Sequence, residues 1–169
     1  MPKHKILLLD DEQNIINSVT RILRSDELEI FSANDADSAW DLLKKINGVD
    51  LIISDNKLPT ISGVEFLTKV RQLYPDTIRI LITGYPDLES TIRAINAGQI
   101  YRFITKPWEN EELKMIVKQA LDYCDILKDN RALIALARKQ SEALNTMQKR
   151  YNISQSEFDK SGIYIIDEQ

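Results

Sequence analysis

The 169-residue sequence holds one cysteine, Cys124, and one histidine, His4. A single Cys excludes a disulfide framework and any all-Cys metal site. A lone His excludes a His-rich zinc site, and at position 4, beside the chain start, it is no candidate for a His-based catalytic triad. Glycine and proline number five each, against 43% hydrophobic and 28% charged residues. That balance excludes collagen-like, low-complexity and broadly disordered chains. The formal net charge of −4 gives no general pull toward DNA or an anionic membrane. No apolar run approaches the roughly 20 residues needed to span a bilayer, and no signal-peptide core opens the chain. The expectation is a soluble cytoplasmic protein with neither a membrane nor a nucleic-acid partner. At about 150 residues per domain, the length predicts one domain and a remainder.

Three continuous apolar runs are present: Lys5 to Asp10, Asp50 to Asp55 and Arg79 to Thr83. A strand apolar on both sides is buried on both faces, as in a parallel sheet covered by helices. Weaker strands fit Leu28 to Ser32 and Ile100 to Ile104. Apolar residues at helical spacing lie between them, over Glu12–Leu23, Asp35–Ile46, Ser62–Leu73 and Asp87–Ala97. Asn34 or Asp35 can cap the second helix, Ile92 falls on the apolar face of the fourth, and Gly98 marks its end. Five β-α units with short connections predict a parallel α/β sheet with right-handed crossovers.

Between Pro107 and Gly162 there is neither Gly nor Pro. One helix is predicted from Glu109 to about Tyr151, too long merely to cover a sheet. Two heptad seams compete along it. Both contain Asn130, Ala137, Leu144 and Tyr151; one adds Leu133, Gln140 and Met147, the other Ile134, Ser141 and Gln148. A seam that polar makes a weak coiled coil; the plainer reading is a solvated or frayed helix and the other a dimerising helix, in which an Asn at the seam can fix register. The basic residues Arg138, Lys139, Lys149 and Arg150, offset by Glu142, read as a solvated helix face.

The strand ends carry the chemistry. The first strand ends in Asp10 and Asp11, the third in Asp55, the fourth in Thr83, and the fifth in Thr105 and Lys106. Ligands of open parallel sheets bind outside these carboxyl ends. Two carboxylates about 5 Å apart repel by roughly 3 kcal/mol at an effective dielectric of 20. Three carboxylates with one Lys therefore favour a hard divalent cation, and all-oxygen ligands with room for water suit Mg²⁺. A carboxylate so neutralised is a nucleophile for phosphoryl transfer, and Asp55, alone at the end of a central strand, is the candidate. Each residue has a plainer reading. Asp10 and Asp11 can cap a helix, Asp55 can open a turn with Pro59 and Gly63, Thr83 can be a loop hydroxyl, and Lys106 a surface lysine. Their joint placement at successive strand ends argues for a site.

These residues sit in motifs that resemble the response-regulator receiver family of bacterial two-component signalling. The motifs are Leu8-Leu-Asp-Asp-Glu12, Leu51-Ile-Ile-Ser-Asp55 with Leu58-Pro59 and Gly63, Leu81-Ile-Thr-Gly84, and Phe103-Ile-Thr-Lys-Pro107, over about residues 4–124. The resemblance implies a flavodoxin-like (βα)5 sheet of order 2-1-3-4-5. It implies that Asp55 is the phosphoacceptor and that Mg²⁺ is held by Asp10, Asp11, Asp55 and the backbone carbonyl of Lys57. Thr83 is the implied switch hydroxyl, Lys106 the phosphoryl-pairing lysine, and Lys106–Pro107 a cis bond. The implied donor is a histidine kinase or phosphotransfer protein. Two residues depart from the common pattern: Phe103 stands where the switch aromatic is often Tyr, and Lys57 where a shorter polar side chain is frequent. Phosphorylation then shifts the surface made by the fourth helix, fifth strand and fifth helix.

Residues 82–87 and 101–108 look like the receiver subset fused to further signalling modules, and Gly162 to Glu168 is similar to the opening strand of a PAS sensor domain. The expected division is a receiver over 1–124, a helical linker over 125–152 that makes a homodimer, and either the start of a further, PAS-like domain or a tail over 153–169. No enzyme activity beyond self-phosphorylation and self-dephosphorylation is expected. The alternative is a stand-alone phosphatase of the haloacid dehalogenase type. That family usually has Asp-x-Asp at the first strand, where this chain has Asp10-Asp11-Glu12.

Overall fold

Alternation within each apolar run sends its side chains to two different cores. Ile6, Leu8, Leu51, Ile53, Ile80 and Ile82 point into one buried cluster, whereas Leu7, Leu9, Ile52 and Leu81 point into another. A strand with a core on each side has no polar face, which is why these runs are continuous. The computed structural model describes residues 4–84, 88–97 and 99–161.

The strands are β1 (His4–Leu9), β2 (Leu28–Ala33), β3 (Leu51–Asp55), β4 (Ile78–Thr83) and β5 (Arg102–Thr105). They form one parallel sheet in the order β2-β1-β3-β4-β5. Helices α1 (Gln13–Leu23), α2 (Ala36–Ile46), α3 (Gly63–Leu73), α4 (Leu88–Asn96) and α5 (Asn110–Ser161) alternate with them. This is the flavodoxin-like doubly wound sheet expected from the sequence. Ile16, Val19 and Leu23 of α1 share the first core with Leu113, Ile116, Val117 and Cys124 of α5. Leu43 of α2 and Phe66, Leu67 and Val70 of α3 fill the second, with Trp40 tilted against Phe66 at 4.7 Å between ring centroids.

Local signals set the helix ends. Asp35 caps α2, accepting from Ser38 N–H at 2.7 Å. Asn47 then closes α2 in the left-handed region (φ 57°) and Gly48 follows at φ 87°, where a side chain is strained. Ser62 and Glu65 form a reciprocal capping box at the start of α3. β5 starts two residues later than expected, because Gln99 and Ile100 N–H still return to Ala94 O, at 2.8 and 3.4 Å. On α4 the expected apolar face is corrected: Ile92 is exposed, and Ala94 and Ile95 lie toward the core. The Gly98 stop signal lies outside the described residues.

The residues up to Leu127 make one unit and those from Lys128 a second. In the second unit α5 continues to Ser161, about ten residues past the expected end near Tyr151. The physical reason is that no Gly or Pro interrupts it before Gly162. The strand-like segment at 162–168 lies outside the described residues. Among the described residues, no helix is long and apolar enough to cross a membrane.

Candidate functional site

Ladder bonds continue one residue past the strands and fix the site. Asp10 N–H donates to Ala33 O (3.3 Å), Asn56 N–H to Ile82 O (2.9 Å) and Lys106 N–H to Thr83 O (2.9 Å). The side chains of Asp10, Asp55 and Lys106 are thereby held at the carboxyl edge. Carboxylate oxygens of Asp10, Asp11 and Asp55 lie within 4.8 Å of one another. Asp10 and Asp55 are buried and Asp11 is exposed. Lys106 Nζ reaches Asp55 Oδ1 at 2.9 Å and Asp10 Oδ2 at 3.4 Å. The other Asp55 oxygen accepts from Lys57 N–H at 3.0 Å. Thr83 is buried at the end of β4, in register with Thr105. Phe103 is half-buried beside Leu81 and packs against the second core. The Lys106–Pro107 peptide bond is cis. An open cleft of about 720 Å³ beside these groups is lined in part by Ile15, Ser18, Gly84, Lys106 and Trp108.

The plainer readings now have answers. The cap position of α1 is Glu12, with no side-chain cap bond; Asp10 Oδ1 instead accepts from Glu12 N–H at 2.8 Å. Asp55 does shape a turn through Lys57 N–H, yet its second oxygen is committed to Lys106. Asn34 is not a cap: it donates to Asp10 O (3.4 Å) and Gln13 Oε1 (3.2 Å), bracing the loop after β1. Sequence reasoning did not give it that role. It also missed how Gly63 lies under the site, with its N–H donating to Asn56 O at 2.9 Å. A small residue directly after Ser62 was the available signal.

Charge is out of balance. Three carboxylates face one ammonium, and each close pair repels by about 3 kcal/mol at an effective dielectric of 20. Burial pushes the Asp10 carboxyl above the ordinary carboxylate range; Glu12 N–H and Lys106 pull it down, and Asp55 pushes it up. Burial works against the Lys106 ammonium, but the hydrogen bond and charge of Asp55, with Asp10 behind them, hold its pKa above the ordinary value. The donor set, all oxygen and in excess of local positive charge, fits Mg²⁺.

A carboxyl with a raised folded pKa favours the fold when protonated. That contribution is lost as pH rises through the raised value. Without metal at neutral pH, Asp10→Asn should therefore be more stable than the parent by about 1 kcal/mol, chiefly the relieved cost of burying the carboxylate and then its repulsion by Asp55. The gap should close as pH falls toward the ordinary carboxylate range. Urea unfolding in a chelator across pH measures it; a more stable parent at neutral pH contradicts it.

Comparison with known proteins decides the family. The response regulator receiver domain family matches residues 6–118. This chain belongs to the response regulator receiver family. The receiver is 38% identical over 124 residues to the hydrogenase transcriptional regulatory protein HoxA of Bradyrhizobium diazoefficiens, covering 73% of this chain and 25% of that protein. A solved signal receiver domain of an HD domain-containing protein from Pseudomonas fluorescens is 37% identical, with TM-score 0.71, covering 76% of this chain and 94% of that one. A CheY-like receiver domain from Methanospirillum hungatei is 33% identical, with TM-score 0.65, covering 73% and 97%. The chain spans about a quarter to a third of the length of its first curated relatives. The phosphatase alternative finds no support in these matches.

Proposed function

We propose that this receiver takes a phosphoryl group from a histidine kinase or phosphotransfer protein onto Asp55. The observation that carries the reading is the placement of Lys106 Nζ between Asp55 and Asp10, with three carboxylates within 4.8 Å of one another. An Asp55 oxygen attacks phosphorus, the bond to the donor nitrogen breaks, and the donor imidazole leaves with that electron pair. Water later cleaves the acyl phosphate, returning carboxylate and inorganic phosphate. Asp10, Asp11, Asp55 and the Lys57 carbonyl are the groups that would hold Mg²⁺, whose chemistry is to neutralise charge on the phosphoryl oxygens. Lys106 places its ammonium against those oxygens, and the Thr83 hydroxyl donates to one of them.

Phosphorylation replaces one carboxylate charge with about two on phosphate. Thr83 is drawn in, and Phe103, which has no hydroxyl to anchor it, follows by packing alone. The α4-β5-α5 surface thereby shifts, a population change between two arrangements. On this reading residues 1–124 are the receiver, 125–152 a helix that pairs with a second copy, and 153–169 a tail or the start of a further domain. What supports a separate extension is that the residues from Lys128 make a unit of their own. HoxA is described as a transcriptional regulatory protein over a longer chain; for these 169 residues we propose neither DNA contact nor turnover of a free substrate.

Lys57 is exposed at the mouth of the site while its N–H holds Asp55. Its ammonium is placed to screen the acyl phosphate from water. With acetyl phosphate and Mg²⁺, the parent should acquire a phosphoryl group, and Lys57→Ala should lose it several-fold faster. No incorporation by the parent overturns the function. Equal half-lives overturn the role given to Lys57.

A further inference from the structure

Two consecutive residues at the end of β2 grip Asp10 on both sides of its backbone. Ala33 O accepts from Asp10 N–H at 3.3 Å, and the Asn34 side chain donates to Asp10 O at 3.4 Å. That oxygen belongs to the peptide joining Asp10 to Asp11. The next peptide, joining Asp11 to Glu12, is held too, because Glu12 N–H donates to Asp10 Oδ1 at 2.8 Å. A residue between two fixed peptide planes has little freedom left in φ and ψ. Asp11 is that residue. It is exposed, unlike Asp10 and Asp55, so packing does not aim its side chain. The two held peptides aim it instead.

The Asn34 amide is itself oriented. The same Nδ2 donates to Gln13 Oε1 at 3.2 Å, and Gln13 Nε2 donates on to Asn17 Oδ1 at 3.0 Å. Asp10 O and Gln13 Oε1 are two acceptors meeting one nitrogen, and an NH₂ group with its two protons satisfies both. A carboxylate in that place would set oxygen against oxygen.

We propose that Asn34 is a positioning residue for the metal site: it holds the Asp10–Asp11 peptide so that the Asp11 carboxylate stays turned toward Asp10 and Asp55, and it thereby sets Mg²⁺ affinity. The inference rests on reading the three carboxylates as a Mg²⁺ site. Mg²⁺ demands near-octahedral geometry, so an acid left free to turn into water must be gathered each time the ion binds. Crowding of three like charges within 4.8 Å pushes the exposed one outward. Groups that hold a metal's ligands in place are worth about tenfold or more in affinity.

Asn34→Asp separates this role from plain electrostatics. The substitution keeps the shape, replaces the donor with another acceptor and adds a negative charge beside the site. Acting through charge alone, it strengthens Mg²⁺ binding. Acting through position, it weakens it. The full unphosphorylated chain is titrated with Mg²⁺ alone at constant ionic strength. Binding is read from tryptophan fluorescence, since Trp108 lines the cleft that holds Lys106, and from the Mg²⁺-dependent rise in melting temperature. Asn34→Asp and Asn34→Ala are both expected to bind Mg²⁺ about tenfold more weakly than the parent. Asn34 is exposed, so in a chelator both should melt within about 2 °C of the parent. Labelling of both by acetyl phosphate should return to the parent's extent when Mg²⁺ is raised. Binding by either variant as tight as the parent's overturns the positioning role and leaves the Mg²⁺ reading standing. A much lower melting temperature in the chelator overturns a role confined to Asp11. No Mg²⁺ binding by the parent overturns both the role and the reading.

Discussion

Asp55→Asn is expected to give a folded chain that accepts no phosphoryl group from acetyl phosphate or from a kinase. The amide has the shape of the carboxylate, and its oxygen can still accept from Lys57 N–H, which holds Asp55 at 3.0 Å. What disappears is the anionic nucleophile and the 2.9 Å ion pair with Lys106. Loss of that pair is offset by relief of carboxylate crowding, since the cluster falls from three negative groups to two. Stability should stay within about 1 kcal/mol of the parent. Labelling is read by acid gel or intact mass, and stability by urea unfolding. Retained labelling contradicts the assignment of Asp55, and a chain that fails to fold contradicts the charge argument.

Gly63→Ala should be the most destabilising small substitution near the site. An added Cβ there would run into the backbone oxygen of Asp55 and lie 2.9 Å from Asn56 Cα. Both obstacles are backbone, and neither can rotate aside. The loop after β3 is closed at that point by the Gly63 N–H to Asn56 O bond and by the pairing of Lys57 with Ser62. Relief must come from moving the β3–α3 connection, which also positions Asp55. The expected cost is about 3 kcal/mol, or roughly 10 °C in melting temperature for a unit of this size. Gly84→Ala is the internal comparison, because an added Cβ there meets nothing within 4 Å. It should change stability by less than about 0.5 kcal/mol. Thermal unfolding followed by circular dichroism separates the two; equal melting temperatures contradict the close-approach argument.

Strand pattern and strand ends were the legible part of the sequence. Ile6–Leu9, Leu51–Ile53 and Ile80–Ile82 are continuous because each strand serves two cores, and that pattern is local. Asp10 and Asp55 stand at the ends of such strands and Lys106 follows the weaker β5, so the shared carboxyl edge could be inferred before any contact was known. What escaped notice depends on tertiary contacts. Nothing in the sequence near Asn34 reveals that it donates to Asp10 O, 24 residues away. Ile92 and Ala94 both fit a helical apolar face, and only packing against the second core selects Ala94. The close approach of Gly63 to Asp55 depends on how the loop folds back. The two seams of α5 were left undecided because period alone cannot orient a helix without a visible partner.

The central claim is that the carboxyl edge of the sheet is a metal-dependent phosphoacceptor centred on Asp55. The most direct test is the intact mass of the parent chain after incubation with acetyl phosphate, with Mg²⁺ or with a chelator, followed by peptide mapping after borohydride reduction. The account predicts one phosphoryl group per chain, Mg²⁺-dependent, located on Asp55 and lost again on standing. Labelling at another residue, labelling undiminished by the chelator, or no covalent species at all would contradict it.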